Sequence, residues 1–328
     1  MNRSVLVALG ITVGLAAIAA PGTHDAHATA YPTKPVTLVV PFPPGGGTDT
    51  IGRPLASVAE KHLGQPMVVL NKGGGGGAVG SQFVANAKPD GYTVLYGINN
   101  LTENPQIDEL LGRQPNFRKE QFIPIGQVTV TPFAIMVEAE SRFKTFKDFI
   151  DEARQKPDQL QYASAGVYSP THVMWEMVLK STNVRVRQLP TTGGGPVMTA
   201  VLGKHVDIGH CVVPAVCAPQ FEAKKIRLLA ITSDKRVPSH PDIPTLKELG
   251  YDAVYSIWHA LMVPAGTPPE VVARLRQSLK AMVEDETFKG LIGKLGERPQ
   301  YLSGEDFARF WEDDYKKVGA LLREIIKN

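Results

Sequence analysis

Three short segments of this 328-residue chain combine glycine, proline and a hydroxyl with almost no fixed charge. They are Pro43-Pro44-Gly45-Gly46-Gly47-Thr48-Asp49, Ser164-Ala165-Gly166-Val167-Tyr168-Ser169-Pro170 and Thr191-Thr192-Gly193-Gly194-Gly195-Pro196. Each separates a β-branched run from a helical pattern. At the carboxyl end of a parallel strand, such a loop opens a helix whose first N–H groups lack an intrahelical partner and carry partial positive charge. An anion sits there without any lysine or arginine. Glycine matters because no Cβ blocks the approach of an anionic oxygen to the backbone. The chemistry on offer is capture of a small anion by amides from several loops.

Other chemistries find little support. Gly75-x-Gly77-x-x-Gly80 has the spacing of a dinucleotide fingerprint, but it follows the second strand and belongs to the run Gly73 to Gly77. No acid ends a strand about 20 residues later, as that fingerprint requires. Gly47 to Arg53 lacks the lysine of a phosphate loop. His-Glu-x-x-His, Gly-x-Ser-x-Gly and Cys-x-x-Cys do not occur, and His172, His205, His210 and His259 lack metal-ligand spacing. His210 and Cys211 are adjacent, so in a strand they point to opposite faces. Asp49 reads as a helix cap or a clamp residue; the rival reading makes it, or a histidine, the base of a secreted hydrolase or isomerase. No catalytic residue, metal or cofactor is expected.

The elements that position these loops alternate as βαβ units. Val36 to Val40 is a strand, and Ile51, Leu55, Val58, Ala59 and Leu63 recur at helical spacing behind a cap at Thr48 or Asp49. Pro54 predicts a kink or a late start. Met67 to Leu70 is a second strand, Ser81 to Ala87 a helix, and Tyr92 to Tyr96 a third strand that ends at Gly97 before Asn99-Asn100. Ile125 to Val137 is a long extended stretch containing Pro132, read as a first crossover between lobes. Phe146 to Gln155, Thr171 to Lys180, Val197 to Leu202 and Ala215 to Ala223 read as helices. Leu160 to Ala163, Val184 to Leu189, Val206 to Gly209 and Ile226 to Ile231 read as strands. Tyr255 to Val263 reads as the returning crossover, followed by a helix through Val271 to Met282 and a last helix, Gly304 to Lys327. The expected class is α/β with two lobes, each a mostly parallel sheet flanked by helices, joined by two crossover strands. Residues 31–130 with 255–328 make the first lobe and 131–254 the second. Two crossings suit hinge closure about a cleft.

Arg3, the apolar run Val5 to Ala20 and Ala28-Thr29-Ala30 have the layout of a secretory leader, with cleavage expected after Ala30. The remainder is long enough for two domains on a prior of roughly 150 residues each. Lys and Arg total 35 against 32 Asp and Glu, a net charge of +3, which argues against a nucleic-acid partner. Cys211 and Cys217 could pair in an oxidising compartment; the simpler reading is two small buried side chains.

Tyr31-Pro-x-Lys-Pro35 and Val39-Val40-Pro41-Phe42-Pro43-Pro44-Gly45-Gly46-Gly47-Thr48-Asp49 resemble the mature start of receptors of the tripartite tricarboxylate transporter family, the Bug proteins. Pro89-Asp90-Gly91-Tyr92-Thr93, Ser164-Ala165-Gly166 with Ser169-Pro170-x-His172, Gly193-x-Gly195-Pro196, Asp242-x-Pro244-Thr245 and Pro264-Ala265-Gly266-Thr267-Pro268 extend the resemblance along the chain. It implies a periplasmic type II binding-protein fold, a monomer that closes on an organic acid and delivers it to membrane permease subunits. A sensor presenting the closed form to a signalling protein is the alternative partner. By similarity, Phe42 to Asp49 and Ser164 to Ser169 grip one carboxylate, partly through ordered water. Thr191 to Gly195 and the strand end at His210-Cys211 select the rest of the ligand.

The chain departs from the family on that selecting side. Thr191-Thr192 stands where relatives carry Tyr-Lys, and Cys211 where they often carry an acid. A buried ammonium needs a charged partner, so a ligand bearing an amine is disfavoured. The expected ligand is a di- or tricarboxylate, aliphatic or aromatic, with His210 or His259 either near its second acid group or simply packed. The candidate ligand-binding residues are Phe42, Pro43, Gly46, Gly47, Thr48, Asp49, Asn99, Ser164, Ala165, Gly166, Ser169, His172, Thr192, Gly193, His210 and Cys211.

Overall fold

The computed structural model describes residues 31–212 and 217–326. The expected leader, residues 1–30, lies outside them, as do residues 215–216 of the expected helix Ala215 to Ala223 and Lys327 of the last helix. In chain order the elements are β1 (Val36–Val40), α1 (Gly47–Leu63), β2 (Met67–Asn71), α2 (Ala78–Ala85), β3 (Thr93–Gly97), α3 (Asn100–Leu110) and β4 (Phe122–Glu138). Then come α4 (Phe146–Gln155), β5 (Gln161–Ser164), α5 (Pro170–Thr182), β6 (Arg187–Pro190), α6 (Gly194–Leu202), β7 (Gly209–Val212), α7 (Ala218–Glu222) and β8 (Ile226–Ile231). The chain ends with β9 (Ser256–Pro264), α8 (Pro269–Glu284), α9 (Glu286–Lys294), β10 (Leu302–Ser303) and α10 (Gly304–Ile326).

The fold is α/β with a mixed sheet. Its main path runs β10-β4-β9-β3-β1-β2. β1 is parallel to β2 and β3, and β5 is parallel to β6, as the βαβ reading expects. The long strands run the other way: β9 is antiparallel to β3 and to β4. β4 pairs with β9 from Phe122 to Pro132, then with β7 and β8 from Phe133 onward. The change of partner falls at Pro132, which has no N–H to give to a ladder. The next amide, Phe133 N–H, is taken by the Thr232 hydroxyl at 2.9 Å, and that hydroxyl donates to the Tyr255 carbonyl at 2.6 Å. Thr232 thereby laces the middle of β4 to the approach of β9.

Local signals account for most elements. Thr145 and Asp148 form a reciprocal capping box, with Thr145 N–H to the Asp148 carboxylate at 2.8 Å and Asp148 N–H to the Thr145 hydroxyl at 3.2 Å, so α4 starts where expected. α1 departs from expectation. It begins at Gly47, earlier than a cap at Thr48 or Asp49, and runs unbroken past Pro54. Its apolar stripe, Ile51, Leu55, Val58, Ala59 and Leu63, is buried, and that packing outweighs the bond Pro54 forgoes. α3 and α9 are additional helices. α3 carries a buried polar face of Asn100, Thr102, Glu103, Asn104 and Gln106, which leaves no amphipathic stripe to read. Among the described residues no helix is long and apolar enough to cross a membrane.

Candidate functional site

The three glycine-rich loops lie at the carboxyl ends of β1, β5 and β6 and lead into α1, α5 and α6. They meet. A Cβ placed on Gly193 or on Gly73 would come within 3.0 Å of the Pro43 ring, so Pro43 is wedged between two other loops. A Cβ on Gly76, whose φ is +62°, would meet the Ser169 backbone at 3.1 Å, a close approach that only glycine permits. Where they converge there is a narrow cavity of about 40 Å³.

The first residues of three helices, Gly47, Pro170 and Gly194, line this cavity. The N–H groups of Gly47, Thr48, Gly194 and Gly195 make no hydrogen bond to the described residues, as expected of first-turn donors. None of the lining residues is Lys, Arg, Asp or Glu. Helix termini of like partial charge are thus brought together around a space that no charged side chain lines, and a negative group between them relieves their mutual repulsion.

Of the residues proposed from sequence, Phe42, Gly46, Gly47, Thr48, Ala165, Ser169, His210 and Cys211 line the cavity. The others stand off it, and several of them brace the loops. Asp49 accepts from Gly45 N–H at 2.9 Å, from Arg53 at 2.9 Å and from Asn71 at 2.8 Å. Burial alone would raise its carboxyl; the Arg53, Gly45 and Asn71 hydrogen bonds outweigh that and hold it below the usual carboxylate range. It organises the loop from inside the first turn and is neither the helix cap nor a group that reaches the cavity. Asn99 bridges to the next strand, donating to the Ser256 carbonyl at 3.1 Å and accepting Trp258 N–H at 2.9 Å. Ser164 donates to the Gly166 carbonyl at 3.2 Å and accepts from Gln188 at 2.7 Å. His172 accepts Tyr168 N–H at 2.9 Å, which holds Tyr168 in its left-handed conformation at φ 56°. Pro43 and Gly193 are packed against each other, and Thr192 is exposed.

Ser169 lines the cavity but its hydroxyl is engaged. It donates to the Gly166 carbonyl at 2.8 Å and accepts His172 N–H as the cap of α5. The far wall is β7. It spans Gly209–Val212, displaced toward the C-terminus from the expected Val206 to Gly209, so His210 and Cys211 stand in the strand itself. Cys211 is bonded to Cys217, so the two cysteines are not the separate buried side chains of the simpler reading. Trp175 donates its indole N–H to His210 Nδ1 at 3.2 Å, and burial pushes the imidazole down to about 4, so His210 is neutral. His259 does not reach this cavity. It is buried against Tyr96, with ring centroids 5.3 Å apart, and meets the Thr129 hydroxyl at 3.0 Å. Its packed reading is therefore the one the structure supports.

Pro170, Thr171 and Gly194 also line the cavity and lie in or beside the loops singled out from sequence. Ile98, Phe133, Val212 and Ile257 complete the walls. They are apolar residues in or just after strands, whose types carry no chemical signal, so only the pairing of β3, β4, β7 and β9 identifies them. Among the described residues no group of three or more His, Cys, Asp or Glu converges as a metal site.

Comparison with known proteins gives one consistent result. The model of the tripartite tricarboxylate transporter family receptor matches residues 51–326. A UPF0065 protein of Cupriavidus necator is 31% identical over 98% of this chain and 96% of its own length. The periplasmic binding protein BugD superposes with a TM-score of 0.84 at 32% identity, covering 90% of this chain and 98% of BugD. An R. palustris protein with adipate superposes at 0.83 with 28% identity, covering 90% of this chain and 98% of its own. MatC from Rhodopseudomonas palustris with bound malate does so at 0.82 with 25% identity, covering 89% and 100%.

Proposed function

The chain belongs to the tripartite tricarboxylate transporter receptor family, and on that premise we propose that it is a periplasmic solute-binding protein that captures a small linear dicarboxylate in the cavity among α1, α5 and α6. One observation carries the reading: three helix starts line a narrow cavity that no charged side chain reaches. In this reading the amides of the first turns take one carboxylate, and Phe42, Ile98, Phe133, Val212 and Ile257 enclose the apolar chain behind it. A charge-assisted hydrogen bond contributes roughly 1.5–3 kcal/mol, so a few of them support affinity near 1 μM, about 8 kcal/mol, after ordering costs. Structures of relatives hold adipate and malate, both acids of this shape.

We propose further that residues 31–130 with 255–328 form one lobe and 131–254 the other, β4 and β9 being the strands that flex when they close. The partner change at Pro132 supports that division. The leader is removed after about Ala30, the monomer works in the periplasm, and the closed form is recognised by the permease subunits of a tripartite transporter. The family is one of receptors, and the candidate base Asp49 is occupied by Gly45, Arg53 and Asn71 away from the cavity, which supports binding without catalysis.

Calorimetry against C4 to C8 dicarboxylates, citrate and terephthalate tests the proposal. Micromolar binding of a linear dicarboxylate, with the ligand recovered unchanged, is the expected result. A chain that binds none of these acids, or that consumes one, would overturn the reading.

A further inference from the structure

On the other side of the glycine run from the cleft lies a second, roomier cavity of about 270 Å³. Gly76 and Gly77 are the partition. Their missing Cβ atoms would fall 3.1 Å from the Ser169 backbone and from the Phe42 ring, two residues of the cleft, while Gly75 faces the second cavity. The other walls are α3, the segment after it and the tip of the β5–α5 loop.

Asn104 of α3 is 7% exposed, and neither its amide oxygen nor its amide nitrogen has a hydrogen-bond partner. A buried amide with both edges unpaired is rare and costly unless a ligand or water completes it. Toward solvent stands Arg113. Its Nε lies 3.4 Å from the Asp108 carboxylate and its guanidinium 5.6 Å from the centre of the Tyr168 ring. Its terminal amino groups bond to none of the described residues, so one edge of the fork is free for a carboxylate. Ile107, Val167 and Tyr168 line the same cavity and give it an apolar and aromatic wall.

We infer that this cavity is a second ligand site, for a small hydroxylated aromatic carboxylate. The carboxylate pairs with Arg113, the ring packs on Tyr168 and Ile107, and the hydroxyl reaches the Asn104 amide. Val167 and Tyr168 immediately precede Ser169, the cap of α5 in the cleft. An occupant steadies the loop that also builds the primary site, so binding at the two sites is mutually reinforcing. That coupling rests on the proposed carboxylate capture; the second site itself does not.

Calorimetry of the full chain with 4-hydroxybenzoate tests the inference on wild type, Arg113→Ala, Asn104→Leu and Gly194→Asp, the last placing a carboxylate in the cleft. Binding equal in wild type and Gly194→Asp is expected, weakened at least tenfold in Arg113→Ala and Asn104→Leu. The Arg113 side chain is half-exposed, so its truncation leaves the fold unaltered, and melting curves verify this for both variants. No binding to wild type, loss of binding in Gly194→Asp, or unchanged binding in both Arg113→Ala and Asn104→Leu overturns the inference. Adipate titrated in parallel separates the two proposals. Adipate binding lost in Gly194→Asp with 4-hydroxybenzoate retained supports both. Retained 4-hydroxybenzoate binding without binding of any acid of the dicarboxylate panel defeats only the primary reading.

Discussion

Gly194 and Gly47 open two different helices and face each other so closely that a Cβ added to Gly194 would lie 3.8 Å from the Gly47 nitrogen. That spacing is ordinary van der Waals contact, and Gly194 has helical backbone that any residue adopts. Substitution there is therefore a probe of the cavity and not of the fold.

Gly194→Asp places a carboxylate on the start of α6, where it competes for the amides of Gly47 and Thr48. We expect dicarboxylate affinity to fall more than a hundredfold while the melting temperature holds or rises, since an acid in a first turn stabilises a helix by about 0.3–1 kcal/mol. Titration calorimetry with adipate reads the outcome; affinity within threefold of wild type would place the anion elsewhere.

Affinity for a fully ionised dicarboxylate should be flat between pH 6 and 8. Burial holds His210 down at about 4, so it is neutral across that window and its charge cannot contribute. A protonated imidazole of ordinary pKa, near 6.5, would instead lose binding with each unit above that value. A tenfold change in Kd across the window would refute the neutral assignment.

Stability, unlike affinity, should depend on pH. Burial pushes the Glu297 carboxyl up to about 8 from its ordinary 4.5, and the nearby Thr131 hydroxyl opposes this only in part. The folded chain therefore keeps a proton that the unfolded chain releases. The stabilising effect of the neutral acid is whole below pH 4.5 and is lost as pH rises through about 8. Burial, together with the Asp314 charge and against the Tyr255 hydrogen bond, pushes Glu103 the same way. Urea unfolding at pH 5, 7 and 8.5 should show stability declining in wild type and declining less in Glu297→Gln. Equal slopes for the two proteins would sink the assignment.

Thr232→Val removes the hydroxyl that serves Phe133 N–H and the Tyr255 carbonyl at the point where β4 changes partners. Leaving two buried backbone groups unpaired costs roughly 2–4 kcal/mol. Urea denaturation measures that loss, and a change under 0.5 kcal/mol would show that water or a shifted strand replaces the hydroxyl.

The loops were legible because their chemistry is local. Proline, consecutive glycines and a hydroxyl between a β-branched run and a helical period mark a strand-to-helix turn wherever the strand lies, and the amides it exposes follow from helix geometry alone. Hence Gly46, Gly47, Thr48, Ala165 and Ser169 could be named before any fold was known, and the family resemblance added Phe42. Asp49 and Ser164 belong to the same segments and His172 to the helix that follows the second, yet they turn away to hold the loops in shape. A sequence of residue types does not say which hydrogen bonds a polar side chain will find.

What the amino-acid order determined by itself was the alternation of strand and helix, the family and the anion-binding character of three bends. The tertiary structure alone decided that those bends meet over Gly46 and Gly194, that β4 and β9 bring Phe133 and Ile257 to the same cavity, that Cys211 reaches Cys217, and that His259 is fully buried. The reason is range. Capping and turn formation act over four residues, whereas the cavity walls and the desolvation of buried groups depend on segments a hundred or more positions apart, and even the six-residue span from Cys211 to Cys217 closes only if the backbone between them turns back; no short-range pattern encodes where such segments come to rest.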